Sequence, residues 1–354
     1  MRAVARIDRG AIAHNTARLA RAAEGAAVCA VVKSDGYGHG ALTAGRAALD
    51  GGATWLAVAA AQEARELRAA GIYARLLVMG ALDSEELAVA LDADADVVAW
   101  SEEFLAALPS HARVHVKLDT GMGRLGTRDA ALATRLAEAA GDRLAGLMTH
   151  FATADELDNP FMDEQLGRFR AWVDPLRERL PDAVVHAANS AATLRDPGTH
   201  FDMVRPGVAI YGMDPFGIDP FAHELEPALT LATSVLAVKD AAAGESAGYG
   251  RRFVAHEPTR LATLPIGYGD GWRRALTNNA DVLIGGRRFP LVGTVSMDNI
   301  TVDLGLDSGV RVGDEAVLIG AQGPERILAE EIARRLDTIN YEVTCALTPR
   351  VVRN

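Results

Sequence analysis

Cysteine is nearly missing from this chain: two residues in 354, Cys29 and Cys345. They stand far apart, with no C-x-x-C pair and no histidine cluster at zinc-ligand spacing, so neither a disulfide framework nor a metal site is expected. Two thiols in so long a chain fit a reducing compartment. A surplus of positive charge is missing as well. Lys+Arg total 36 against 47 Asp+Glu, a net charge of −11. Such a surface repels phosphate backbones, which sets nucleic acid aside as a partner. No run is long and charge-free enough to span a bilayer, and Arg2, Arg6, Asp8 and Arg9 break up the start of the chain where a signal peptide would need an apolar core. The expectation is a cytoplasmic protein with no membrane partner.

What is present is length and alternation. The 354 residues, 49% hydrophobic and 23% charged, suit a globular chain of about two domains at roughly 150 residues each. Over 8–226, short β-branched runs alternate with helical stretches rich in Ala, Leu, Arg and Glu. The runs are 28–32, 55–58, 76–79, 97–100, 114–118, 144–148, 184–187 and, more weakly, 201–204. Buried strands separated by helix-length connectors predict an α/β fold opening with an N-terminal (β/α)8 TIM-like barrel. A doubly wound dinucleotide sheet would need a G-x-G-x-x-G turn after an early strand, and none is there. From Pro227 onward the pattern changes. Runs at 230–238, 260–266, 281–284, 288–292, 295–304 and 310–319 are separated by Gly and Pro turns, with one helical stretch at 327–336. Residues 227–354, joined by 1–7, are expected to form a C-terminal, mostly antiparallel β domain.

Barrel enzymes carry their reactive groups at the C-terminal ends of the strands. Lys33 ends the run Ala-Val-Cys-Ala-Val-Val-Lys and is followed by Ser-Asp-Gly-Tyr-Gly-His-Gly. Desolvation at such a position disfavours the ammonium and frees the amine for imine formation; a lysine that merely snorkels to solvent is the plainer reading. Phosphate needs N–H and hydroxyl donors at turns or helix starts. Ser190 follows strand seven at a helix start, and Gly207 and Val208 follow strand eight. A lysine on strand one with phosphate donors at strands seven and eight is the layout expected for pyridoxal phosphate in a barrel.

The run Ala30-Val31-Val32-Lys33-Ser34-Asp35-Gly36-Tyr37-Gly38-His39-Gly40 closely resembles the cofactor-lysine motif of alanine racemases. Similar to that family, and in its order, are Lys117-Leu118-Asp119-Thr120-Gly121-Met122-Gly123-Arg124, Thr149-His150-Phe151-Ala152, Arg205-Pro206-Gly207, Gly248-Tyr249-Gly250, Gly267-Tyr268-Gly269-Asp270-Gly271, Met297-Asp298 and Asn340-Tyr341-Glu342. The resemblance covers nearly the whole chain. It implies an isomerase that interconverts L- and D-alanine on pyridoxal 5'-phosphate, supplies D-alanine for peptidoglycan, and works as a head-to-tail homodimer with active sites shared between chains. It also implies residue roles. Lys33 holds the cofactor as an imine, Tyr37 and Ser190 contact its phosphate, and Gly207, Val208 and Tyr341 complete that cradle. Arg205 faces the pyridine nitrogen, with His150 hydrogen-bonded behind it. Arg124 and the main-chain N–H of Met297 hold the substrate carboxylate. Lys117 occupies the place of a lysine that many members carbamylate to orient that arginine. Tyr249 reaches in from the partner chain, while Asp155, Tyr268 and Arg274 line the access channel. Two departures stand out: Thr294, where arginine is frequent, and Ser296, where cysteine commonly precedes the methionine. Tyr341 is expected to favour a methyl-sized side chain.

The roles make chemical sense. Racemisation removes the Cα proton on one face and returns one on the other, so it needs two acid–base groups astride a planar centre. Lys33 is one and Tyr249 the other; a tyrosine with its ordinary pKa of about 10 needs cationic neighbours to favour the phenolate. Arg205 donates but does not accept hydrogen bonds, which leaves the ring nitrogen unprotonated, a weaker electron sink that suppresses transamination. A non-enzymatic barrel carrying the same cofactor would lack the residues from 227 onward. A two-domain decarboxylase would set a carboxylate where Arg205 stands. A broad-specificity racemase of small amino acids remains open.

Overall fold

Runs of Val, Leu and Ala with no polar alternation form strands buried on both faces, the signature of a parallel sheet covered by helices. The structure, a computed structural model, describes residues 2–354 and divides into two compact units, Arg9–Glu226 and residues 2–8 with Pro227–Asn354. Strand β1 (Val4–Ile7) belongs to the second. The first carries β2 (Ala27–Val31), β3 (Trp55–Val58), β4 (Arg75–Val78), β5 (Ala95–Ala99), β6 (Val114–Lys117), β7 (Leu144–Met148), β8 (Val184–His186) and β9 (Met203–Val204). Each strand pairs parallel with the next, and β9 closes on β2 through Ala27 opposite Met203 and Val28 opposite Val204. The expected (β/α)8 barrel is present. Its helices follow from apolar spacing and from their caps. In Ala61–Ala69 the buried residues are Ala61, Ala64 and Leu67, a stripe at helical spacing. Asp83 and Asp129 accept hydrogen bonds from the first free N–H groups of the helices they precede.

Immediately after β2 the chain does something its sequence only half announces. Ser34, Asp35, Gly36 and Tyr37 all take left-handed backbone angles, φ 54°, 51°, 60° and 53°. For non-glycine residues this costs roughly 1–2 kcal/mol each, so the surroundings must hold the turn. The Glu63 carboxylate accepts from the Ser34 N–H at 2.5 Å and from Ala59 and Ala60 at 3.0 and 3.1 Å, and Asp35 accepts from the Ala41 N–H at 2.9 Å. The turn swings Tyr37 back into the barrel mouth, where it is buried.

The other unit holds β1 and β10 (Leu229–Ser234), β11 (Ala237–Ala241), β12 (Ser246–Ala247), β13 (Phe253–Val254), β14 (Thr259–Leu264), β15 (Asp281–Ile284), β16 (Arg287–Val292), β17 (Ile300–Asp303), β18 (Glu315–Gln322), β19 (Glu325–Ile327) and β20 (Val352–Arg353). The main sheet runs β11-β14-β17-β16-β15-β18-β10-β1-β20, antiparallel except where β1 meets β20. The run expected at 230–238 is broken, because the chain changes partners there: the Val235 N–H bonds to the Asp314 carbonyl and the Leu236 N–H to that of Thr263. The run at 295–304 forms a strand only over Ile300–Asp303, because 296–299 is a tight turn. That at 310–319 starts late, because Asp314 closes a turn with Arg311. No helix among the described residues is long and apolar enough to cross a membrane.

Candidate active site

The sequence has three lysines, Lys33, Lys117 and Lys239. Two of them sit at the C-terminal mouth of the barrel: Lys33, half-buried just past β2, and Lys117, the buried last residue of β6. Arg205 follows β9 and is buried too. The charges of Arg205, Lys117, Arg124 and Lys33 all bear on the His150 ring, which places four cations around one mouth, a setting for an anionic ligand.

Arg205 is the most constrained of the four. One terminal nitrogen, Nη1, donates to His186 Nδ1 at 2.7 Å. The other, Nη2, donates to the carbonyls of Thr149 and Ala187 at 2.8 and 3.0 Å, and approaches His150 Nδ1 at 3.4 Å. The remaining donor, Nε, is buried with no partner among the described residues. Burial pushes this guanidinium down to about 10, which leaves it charged at neutral pH. Burial, and next the charge of Arg205, push both His150 and His186 well below the ordinary imidazole value, so both are neutral.

Beside Arg205 lies a small cradle. Ser190 opens the helix Ser190–Arg195, capped by Asn189, and its hydroxyl oxygen accepts from the N–H groups of Gly207 and Ala209 at 2.9 and 3.3 Å. Its own hydroxyl hydrogen points elsewhere, since that oxygen is the acceptor in both bonds. A Cβ on Gly207 would run into the Tyr37 hydroxyl, so glycine is what lets the phenol, Ser190 and the turn before Val208 converge. Tyr211 braces the cradle from behind, donating to the Val31 carbonyl at 3.0 Å, its ring centroid 5.1 Å from that of Tyr37.

Around β6, Asp119 organises the Thr-Gly-Met-Gly turn. It accepts from the N–H groups of Gly121 and Gly123 at 3.0 and 3.1 Å and from Arg128 Nε at 3.2 Å. The turn carries Arg124, which is exposed. Lys117 lies among cations. Burial first, then the charges of Arg205 and Arg124, bring its amine down to about 8, within reach of the neutral form at physiological pH. Asp155 is exposed in the segment after β7.

In the other unit the residues singled out from sequence lie on loops. Tyr249 sits between Gly248 and Gly250, both at φ 71°, and is 74% exposed. Thr294 donates from its hydroxyl to the Tyr249 carbonyl at 2.6 Å. Ser296 closes the 296–299 turn, its hydroxyl donating to the Asn299 carbonyl at 2.7 Å and accepting from the Asn299 N–H at 3.0 Å. That turn displays Met297, which is 52% exposed. Tyr268 packs its loop on the same turn, its N–H donating to the Ser296 carbonyl. Arg274 lines a cleft of about 280 Å³ with Arg273, Leu336 and Glu342, and Tyr341 lies half-buried on the helix Asn340–Cys345.

Residues 7–215 match the family model for the alanine racemase N-terminal domain and residues 228–354 that for its C-terminal domain. A curated alanine racemase of Symbiobacterium thermophilum is 42% identical over 99% of this chain and 96% of its own length. Alanine racemase 1 of Bacillus subtilis is 40% identical over 99% of this chain and 92% of its own. The chain belongs to the alanine racemase family. The solved alanine racemase of E. faecalis superposes with a TM-score of 0.92 at 38% identity, covering 99% of this chain and 97% of that one. The Bacillus anthracis alanine racemase, solved with bound L-Ala-P, gives 0.91 at 37% identity over 100% and 95%. This racemase is therefore an isomerase.

Sequence reasoning passed over three residues that the racemase barrel links to Arg205 in a chain of hydrogen bonds: His186, His115 and Asp96, all fully buried. The signal was available, because ionisable residues seldom occupy the apolar strands of a barrel core. It also gave no role to Glu63, which fastens the turn after Lys33.

Proposed function

We propose that this chain interconverts L- and D-alanine, the supply of D-alanine for peptidoglycan, using pyridoxal 5'-phosphate held by Lys33. The observation that carries the reading is Arg205 Nε, a buried donor with no partner beside a cradle that only glycine at 207 leaves open. A neutral pyridine nitrogen is an acceptor that suits the first, and a phosphate group suits the second. These features fit the cofactor. When bound it supplies an electron-accepting ring conjugated to the substrate nitrogen, which acidifies the Cα–H.

The chain's own residues do the rest. Tyr37 and Ser190 would donate hydroxyl hydrogens to the phosphate, with the main chain at Gly207 and Val208 beside them. Arg205 would offer Nε to the ring nitrogen without giving up its proton. Its neighbour His150 is neutral, so the site holds no acid there that would protonate the ring. Arg124 carries the charge for the substrate carboxylate, and a carbamate on Lys117 would orient it by supplying the anion that this cluster of cations lacks. The Lys33 amine takes or returns the Cα proton on one face.

The second proton carrier is the partner's Tyr249. Tyr249 and Met297 are exposed on this chain, as residues destined for another subunit's site must be, and the two-base logic demands a group facing Lys33. The test is exchange at Cα in deuterated water. Wild type should exchange and racemise both enantiomers. Lys33→Ala should lose both, and Tyr249→Phe should abolish exchange from one enantiomer more than from the other. Equal residual exchange from L- and D-alanine in both variants would sink the two-base reading.

A further inference from the structure

Three side chains below the mouth take no part in the chemistry above, yet their hydrogen bonds admit a single arrangement of protons. A guanidinium only donates, so His186 Nδ1, 2.7 Å from Arg205 Nη1, is an acceptor. A neutral His186 then carries its proton on Nε2, which lies 2.7 Å from His115 Nδ1. That nitrogen must accept, so His115 is protonated on Nε2, 3.1 Å from Asp96 Oδ2. Both imidazoles are neutral, and every bond points the same way, from Arg205 at the mouth to a carboxylate near the start of β5.

The chain of bonds is built into the barrel. His115 on β6 reaches past β7 to His186 on β8, and it can do so because β7 has Gly146 there; a Cβ at 146 would strike the His115 ring. Asp96 is wholly buried but held charged by Arg75 and Arg113, whose nitrogens come within 2.9 and 2.6 Å. Burial would raise this carboxyl, but His115, Arg113 and Arg75 outweigh it and bring it down to about 2. Among the described residues the hydrogen-bond partners of Arg205 include no carboxylate, only two carbonyls and two neutral rings. A buried cation so placed needs a compensating charge further off.

We propose that Asp96 and His115, acting through His186, are positioning residues: they fix the orientation and hydrogen-bond polarity of the Arg205 guanidinium so that Nε is presented to the ring nitrogen of the cofactor. The inference rests on the reading above that Arg205 faces that ring. In its simplest form the test is a comparison of two ligands, pyridoxal phosphate and its analogue with CH in place of the ring nitrogen, binding to the apo chain. Wild type should favour pyridoxal phosphate by at least tenfold. Asp96→Asn, which keeps the shape and an acceptor for His115, and His115→Phe, which cuts the chain of bonds, should reduce that preference to threefold or less while changing affinity for the analogue by less than twofold. Equal weakening of both ligands, or an undiminished preference in Asp96→Asn, would overturn the proposal while leaving the role of Arg205 intact. No preference in wild type would instead overturn that role, and the proposal with it. Nitrogen-15 shifts give a second readout on the unmutated apo chain, with both His115 and His186 as Nε2–H tautomers; a proton on His186 Nδ1 contradicts the proposal even if His115→Phe fails to fold.

Discussion

The Thr294 hydroxyl donates a 2.6 Å hydrogen bond to the main-chain carbonyl of Tyr249. Thr294 is buried and Tyr249 is not, so a fixed loop holds the backbone of a phenol that projects outward. A Cβ on Gly248 would sit 3.0 Å from the Thr294 N–H, which shows how tightly the two segments are packed. The Thr294 hydroxyl thus tethers the loop that carries Tyr249, the residue proposed as second proton carrier.

Thr294→Val keeps the volume and removes that bond. A net hydrogen bond contributes about 0.5–1.5 kcal/mol, so racemisation should slow by roughly twofold to tenfold, with cofactor affinity unchanged. Steady-state rates and a cofactor titration check both parts. A variant as fast as wild type would mean that the tether does not position Tyr249.

Gly207→Ala tests the cradle. Gly207 has a negative φ, −114°, and a Cβ there would meet the Tyr37 hydroxyl, so the effect read is that collision. Cofactor affinity should fall at least tenfold, about 1.4 kcal/mol, as read by absorbance titration. Unchanged affinity would place the phosphate elsewhere.

Arg205→Glu should convert the ring nitrogen from hydrogen-bond acceptor to protonated partner. Transamination per racemisation event should then rise, measured as pyruvate formed from alanine. An unchanged ratio would count against the role assigned to the guanidinium.

Lys117 makes a pH-dependent prediction. Carbamylation joins the neutral amine nitrogen to the carbon of CO2 and releases a proton to solvent. With the amine at about 8, roughly a tenth is neutral at pH 7 by that arithmetic. Protein equilibrated with carbon-13 bicarbonate should show a carbamate signal that grows between pH 6 and 9 and is missing in Lys117→Met. Without bicarbonate the bare amine has the opposite signature to an ordinary ion pair. Its folded value lies below the 10.5 of the unfolded chain, so the unfolded state binds more protons between the two. Stability should rise with pH from about 8 to about 10.5 and fall again on return. Lys117→Met should flatten that slope, and denaturant unfolding across the window measures it.

The barrel was readable because its strands are local. Runs 55–58 and 144–148 are apolar throughout and flanked by helical stretches, and the structure reproduces both within the same bounds. The place of Lys33 at the barrel mouth was readable because it ends such a run. The network of Asp96, His115 and His186 was not, because each is one polar residue in a different strand and the contact between the histidines skips β7. The left-handed turn was half-signalled: Gly36 and Gly38 permit it, but Ser34, Asp35 and Tyr37 adopt it in a turn fastened by Glu63, distant in sequence, and by the bond from the Ala41 N–H to Asp35. The break in 230–238 has the same origin, since the choice between Asp314 and Thr263 as partner lies outside the strand. Thr294 and Ser296 read as plain substitutions until the loops that use their hydroxyls are seen.

Three lysines make the central claim unusually easy to test, for Lys239 is exposed on β11 and only Lys33 and Lys117 lie in the barrel. Borohydride reduction of the chain loaded with pyridoxal phosphate, followed by peptide mass mapping, reports which amine holds the cofactor. The pyridoxyl mass should appear on the peptide containing Lys33 and vanish in Lys33→Ala. Its appearance on the Lys117 or Lys239 peptide of wild type, or on none, would contradict the account.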